Sequence, residues 1–295
     1  MRVLISGASG LVGTEVARQL KALGHTPLRL VRREKRSDDE VSWNPKTGEL
    51  EPGIMETVDA VVNMAGATTG RIPWTKKYMQ EIIDSRIDST KTLVAAINNA
   101  KNKPKVLVSG SASGIYGDRG DEWLSEDSSK GSGFLSDLAF QWEQEALKAD
   151  TRVVLARTTL VMSRKLGALG RLIPLIKLFI GGPLGSGKQW WAWISLEDQA
   201  RAIIHLINTE SAQGPYNLTA PEPATAGQLI KELAKQLNRP AFLRVPGWAM
   251  KLLIGVAAEE LLLCSQKMMA DKLLSTGFNF SHPTLKESVA YVVAK

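Results

Sequence analysis

The chain opens on a short apolar run, Val3 to Ile5, and then changes period. Val12, Val16, Leu20 and Leu23 fall on one stripe spaced for a helix. The same change recurs down the chain. Thr26–Val31 reads as a second strand, and Val58–Asn63 as a buried one. Lys76–Asp84 and Arg86–Lys101 read as helices, the second with Ile87, Leu93, Val94 and Ile97 on one face. Lys105–Ser109 is again a strand, Leu135–Ala149 a helix and Arg152–Ala156 a strand. Val41–Leu50 carries the turn Asn44-Pro45-Lys46-Thr47-Gly48 between short extended pieces, and Asp118–Gly133 is a polar loop. Strand–helix alternation of this kind predicts right-handed βαβ units and a parallel sheet.

Beyond this point the pattern loosens. Leu169–Ile180 is an apolar helix, Gln189–Ile194 an aromatic strand, Glu197–Asn208 a helix and Tyr216–Leu218 a strand. Helices follow over Ala226–Leu237 and Trp248–Leu263, with another ending at Leu273–Gly277 and a last one from Thr284. The expected fold is α/β, a doubly wound parallel sheet with a smaller, mostly helical C-terminal domain. Residues 1–165 would form the first domain, with segments near 190–220 returning to it, and 166–295 would form mainly the second.

Composition narrows the class. With 44% hydrophobic and 23% charged residues over 295 positions, the chain is ordinary globular material. The net charge of +7 comes from scattered Lys and Arg, with no helix-turn-helix or zinc-finger pattern, so an anionic small molecule is a better partner than nucleic acid. A single cysteine, Cys264, permits no internal disulfide and fits a reducing, cytoplasmic setting. Val3–Ile5 is too short for the apolar core of a secretory signal. The longest greasy stretch, Trp248–Leu263, carries Lys251, Glu259 and Glu260, so no membrane partner is expected. No metal is expected either, because no His, Cys and carboxylate cluster has ligand spacing.

The chemistry concentrates at strand ends. After Ile5 come Gly7, Gly10 and Gly13, leading into the first helix. Such a turn needs a glycine at its start, lets a pyrophosphate approach the backbone at Gly10, and packs the helix closely at Gly13. The helix N-terminus then offers N–H groups and a positive dipole to phosphate. The second strand ends in Arg32-Arg33, where a dinucleotide fold places the adenosine ribose. Guanidinium groups there suit a 2′-phosphate, hence NADP(H) over NAD(H), although a solvated basic turn is the plain alternative. The strand at Lys105–Ser109 runs into Gly110-Ser111-Ala112-Ser113-Gly114-Ile115-Tyr116-Gly117, a hydroxyl-rich strand end where open α/β folds bind ligands. Trp190, Trp191 and Trp193 could stack on a base or sugar, or pack as core.

Gly7-x-x-Gly10-x-x-Gly13, Asn63-Met64-Ala65-Gly66, Ser109 through Gly117 and Gly187 through Asp198 together resemble the extended short-chain dehydrogenase/reductase superfamily. Trp142-Glu143, Gly181 through Gly187, Ala220-Pro221-Glu222-Pro223 and the stretch from Arg239 to Phe278 resemble its atypical epimerase-family branch, sugar nucleotide epimerase-like and sometimes labelled cell-division inhibitor. The resemblance spans essentially the whole chain. It implies a Rossmann domain binding NADP(H) and a C-terminal substrate domain. Gly7, Ser9, Gly10, Leu11 and Val12 would hold the pyrophosphate, and Arg32 and Arg33 the 2′-phosphate. Ala65 and Gly66 would line the adenosine-side ribose, with Glu81, Arg86 and Val161 completing the cofactor wall. The superfamily's Tyr-x-x-x-Lys pair would fall on Leu135 and Ala139, neither of which transfers protons. Ser111 stands at the serine position, and Tyr116 is a nearby hydroxyl. The expected activity is that of an oxidoreductase or epimerase. It would act on a small molecule such as a nucleotide sugar or carbonyl compound, with Ser111 and Tyr116 as catalytic candidates and the protein a monomer or homodimer. The rival reading is a non-catalytic NADP(H)-sensing regulatory protein.

Overall fold

The computed structural model describes residues 1–164 and 167–294. Its frame is set by β1 (Arg2–Ser6), which is buried from Val3 onward. A strand covered on both faces reads as an unbroken apolar run, and Val3-Leu4-Ile5 is one. α1 (Leu11–Ala22) then turns Val16, Ala17 and Leu20 inward, and Gly24 closes it with a φ of 76°. β2 (Thr26–Val31), β3 (Glu40–Asn44) and β4 (Glu49–Leu50) extend the sheet on one side of β1. β5 (Ala60–Asn63) pairs with β1 on the other side, followed outward by β6 (Val106–Ala112).

Between β5 and β6 runs α2 (Lys76–Asn99), one continuous helix where two were expected. Its backbone runs on through Ser85, the residue between the two predicted helices, whose hydroxyl donates to the Ile82 carbonyl and accepts the Ala67 N–H. β7 (Trp123–Leu124) lies in the long loop, and α3 (Phe134–Ala146) packs beside α2. β8 (Arg152–Thr158), β9 (Leu160–Met162), α4 (Gly167–Lys177), β10 (Trp193–Ser195), α5 (Leu196–Asn208) and β11 (Gly214–Leu218) follow. The large sheet has the order β11-β8-β6-β5-β1-β2-β3-β4 and is parallel except for the β3–β4 hairpin. The chain reverses direction between β1 and β5. That reversal opens a crevice at the strands' carboxyl ends, where such sheets bind ligands.

Helices α1 and α5 pack together against one face of the sheet. On the other face, Leu93, Val94 and Ile97 of α2 cover Leu4, Val61 and Leu107. A separate cluster is built from α4, α6 (Ala226–Gln236) and α10 (Leu285–Ala294) around Trp191 and Trp193. Only 193–195 of the predicted aromatic strand is extended in register, against β9. Trp191 bonds instead to the Ala224 carbonyl, and with Trp193 it is buried as core. The predicted helix from Trp248 to Leu263 is three pieces. α7 (Gly247–Ile254) ends at Gly255, whose φ of 60° breaks it, and α8 (Val256–Ala258) leads into a π-turn, Glu259–Leu263. β12 (Lys267–Met268) returns to pair with β7, and α9 (Asp271–Ser275) lies against β11. The expected boundary between residues 165 and 166 lies outside the described residues. No described helix is long and apolar enough to cross a membrane.

Candidate cofactor cleft and active site

The turn after β1 has the tight geometry its glycines imply. Gly7 adopts a φ of 67°, and a Cβ there would sit 2.4 Å from the Met64 carbonyl oxygen. A Cβ on Gly13 would lie 2.3 Å from the Gly7 carbonyl oxygen, so α1 can approach β1 only as glycine. Gly10 differs. Its N–H donates to the Gly7 carbonyl, and a Cβ there would meet only that carbonyl oxygen, at 3.2 Å. Ser9 and Gly10 are exposed, and Leu11 and Val12 half-buried. The N-cap, Gly10, supplies no side-chain hydrogen bond to the first N–H groups of α1.

A chain of buried hydrogen bonds holds the neighbouring strand end. Ser6 donates to Asn63 Oδ1 at 2.6 Å and accepts from the Ala65 N–H at 3.1 Å. Asn63 and the Trp142 indole both donate to Thr90, each at 2.9 Å. These bonds tie β1 and β5 to α2 and α3 and fix the backbone at Ala65 and Gly66. Arg86 acts on the same loop. It donates to the carbonyls of Ala67 and Ile82 and lies 5.3 Å over the Trp142 ring. Its guanidinium carbon would be 2.9 Å from a Cβ on Gly66. Burial pulls its pKa down to about 10. Arg86 thus braces the loop from behind. Glu81 is exposed on α2. Val161, in β9, packs with Val12 and Met64 against one cluster, which brings three distant segments to the crevice.

At the end of β2 the two arginines part company. Arg33 grips Glu40 with both Nη atoms, at 2.7 and 2.8 Å. That contact, with the Arg36 N–H, holds the Glu40 carboxyl down at about 2. Arg32 is exposed, and no partner for its guanidinium is found among the described residues.

Ser111 and Tyr116 join a single buried network. Ser111 donates to Glu143 Oε1 at 2.6 Å. Arg157 holds both oxygens of Glu143, at 2.8 and 3.0 Å, and donates to the Tyr116 hydroxyl at 2.8 Å. The phenol in turn donates to Asn217 Oδ1 at 2.7 Å. Burial opposes the Arg157 charge, but its bonds to Glu143 and Tyr116 outweigh that, and its pKa rises. Burial pushes the Tyr116 phenol up to about 12 and raises Glu126, whose carboxylate accepts the Asn217 N–H. As placed, Tyr116 has no exposed surface. Leu135 packs on Gly114, and Ala139 is buried beside Tyr116 and Ile115.

Arg157, Glu143, Asn217, Glu126 and Glu260 are not among the site residues that the sequence singles out. Arg157 is a charge inside an otherwise apolar strand, a pattern that signals a buried partner. Trp142-Glu143 marks the family in the sequence, but nothing along the chain gives Glu143 a partner. Glu260, from the π-turn, accepts the N–H groups of Phe134 and Leu135 at 2.9 and 3.1 Å and so caps α3 across 125 residues of sequence. No local pattern announces that contact.

Comparison with known proteins follows the same outline. A model of the NAD dependent epimerase/dehydratase family matches residues 3–219, and a domain of unknown function, DUF1731, matches 245–292. An epimerase family protein of Mycobacterium leprae is 38% identical over 99% of this chain and 96% of its own length. One from Staphylococcus aureus is 35% identical over 99% of each. Among solved structures, the human epimerase family protein SDR39U1 (isoform2) with NADPH superimposes with a TM-score of 0.92 at 30% identity, covering all of both chains. A nucleoside-diphosphate sugar epimerase from Corynebacterium glutamicum aligns with a TM-score of 0.82 at 27% identity, over 99% of this chain and 58% of that one.

Proposed function

The chain belongs to the NAD dependent epimerase/dehydratase family, and from that membership we propose that it is an NADP(H)-binding oxidoreductase or epimerase of atypical type. The observation that carries the cofactor reading is the N-terminus of α1, given no side-chain hydrogen bond by its N-cap Gly10, behind a turn only glycine can form. Gly7, Ser9, Gly10, Leu11 and Val12 would bind the pyrophosphate through backbone N–H groups. Arg32 would meet the 2′-phosphate, while Arg33, already held by Glu40, would keep the loop in place. Ala65 and Gly66 would lie along the adenosine-side ribose, with Arg86 bracing them and Glu81 and Val161 completing the wall. The NADPH in the human relative's structure is consistent with this choice.

When bound, the nicotinamide supplies or accepts hydride. Ser111 donates to Glu143 Oε1, so its free lone pairs would accept a hydrogen bond from a substrate hydroxyl. The substrate class is a nucleotide sugar or a carbonyl compound. A second reading, a non-catalytic NADP(H) sensor, draws on the Tyr116 phenol. That group is buried, doubly bonded and a poor acid at neutral pH, and Leu135 and Ala139 supply no substitute.

Titration of NADPH and NADH by fluorescence tests the cofactor. Wild type should prefer NADPH, and Arg32→Ala should lose about ten- to a hundredfold in NADPH affinity, the worth of a charged hydrogen bond. Arg33→Ala should act mainly through stability. Equal wild-type affinities for the two cofactors would sink the reading. Turnover of any carbonyl compound or nucleotide sugar, followed by absorbance and stereochemical change, separates enzyme from sensor.

A further inference from the structure

The C-terminal region leaves a large apolar surface in water. α7 buries only Met250, while Trp248, Leu252 and Leu253 are 71%, 80% and 74% exposed. Trp248 and Leu252 are four residues apart and share a helix face. The segment entering α7 pairs with residues 183–185, through the Val245 N–H to Pro183 and the Gly185 N–H to Val245. It exposes Phe242 and Leu243. The pairing also draws in the end of α4, where Phe179 and Ile180 are exposed and Arg239 lies 5.3 Å over the Phe179 ring. Single exposed apolar side chains are ordinary, but a run of this size marks an interaction surface.

Charge says what kind. The two stretches that carry this surface, 167–190 and 239–256, contain Arg171, Lys177, Lys188, Arg239, Arg244 and Lys251 and no acidic residue. All six are exposed. Among the described residues, Lys251 alone of the six has an acidic partner, Glu259 at 2.5 Å.

We propose that this face docks on the surface of an anionic phospholipid bilayer. Trp248, Leu252 and Leu253 would enter the headgroup boundary while the surrounding Arg and Lys meet lipid phosphates, the arrangement of an interfacial anchor. Expecting no membrane partner follows from the lack of a spanning segment, and surface docking needs none. A second copy of the chain fits worse. A twofold interface would set the cations of this face against their own copies. The proposal is independent of the cofactor reading.

Co-sedimentation with vesicles tests it. The full chain should pellet with vesicles of equal parts phosphatidylglycerol and phosphatidylcholine, and much less with phosphatidylcholine alone. Each basic residue at such a surface contributes about fivefold to partitioning, so Lys177→Gln, Arg239→Gln, Arg244→Gln together should lose about a hundredfold. Leu252→Glu, Leu253→Glu should abolish pelleting at an unchanged melting temperature. Absence of wild-type pelleting at low salt overturns the proposal. So does retained pelleting of the Leu252→Glu, Leu253→Glu variant, which would indicate charge adsorption only. A solution dimer that this variant dissociates, with no vesicle binding by wild type, would assign the face to a second copy.

Discussion

At the scale of single residues, the most consequential side chain is Tyr116. Its phenol satisfies Arg157 and Asn217 at once and touches no water. Tyr116→Phe leaves both partners short of a bond and should cost about 1–3 kcal/mol near neutral pH. The alkaline range gives a second signature. The folded phenol titrates at about 12 against 10.0 for the free group. Its stabilising contribution is therefore complete below pH 10 and is lost as pH rises through 12, because the unfolded chain ionises first. At pH 11 the difference between wild type and Tyr116→Phe should shrink by about 1 kcal/mol. Denaturant titrations at pH 8 and 11 read both effects, and a gap that widens with pH would contradict the buried assignment. Arg32 and Arg33 show a different lesson at this scale. They are neighbours of one type, yet one faces solvent and the other is spent on Glu40.

At the scale of elements, the β1–turn–α1 unit separates a packing glycine from a ligand-facing one. A Cβ on Gly13 would sit 2.3 Å from the Gly7 carbonyl oxygen, inside any real contact distance. Gly13→Ala should push α1 off the sheet and lose about 1–3 kcal/mol, read as a fall in melting temperature. Gly10 has a φ of −79° and ψ of 171°, extended backbone that a branched residue adopts freely. Gly10→Val presses a Cβ on the Gly7 carbonyl oxygen and leaves a poor N-cap, so it should cost about 1 kcal/mol while still folding, and it should fail to bind NADPH in the same fluorescence titration. Undiminished binding would place the phosphates away from this turn.

At the scale of the whole molecule, α3 is capped from the far end of the chain. Glu260 caps α3 through the N–H groups of Phe134 and Leu135, beside the positions where the family pair would stand. A carboxylate on a helix N-terminus gains from both hydrogen bonds and the dipole. Glu260→Ala should cost about 1–2 kcal/mol and loosen α3 from the π-turn. Limited proteolysis should then cut faster in the 118–133 loop or near Gly255. An unchanged cleavage rate would show that packing alone holds the two regions together.

The sequence by itself determined what short-range physics can encode. A glycine turn between an apolar strand and a helical stripe is a local signal, and β1, Gly7, Gly10, Gly13 and α1 follow from it. The alternation of periods likewise determined the parallel α/β sheet, because each crossover helix must cover the strands it connects. Local propensity misplaced boundaries only where long-range contacts or a single backbone conformation intervened. The split expected near Ser85 closes into one helix, and the helix expected through Gly255 breaks there. Tertiary structure alone decided how the polar groups pair. Ser111 and Tyr116, Glu143, Arg157 and Asn217 come from four separated stretches, and Glu260 reaches α3 from the C-terminal region. A buried charge requires a partner, but its identity depends on which elements the sheet order brings side by side. The same holds for α7. Along the chain its apolar residues read only as a greasy helix too charged to span a bilayer, and the fold decided that Trp248, Leu252 and Leu253 stay exposed.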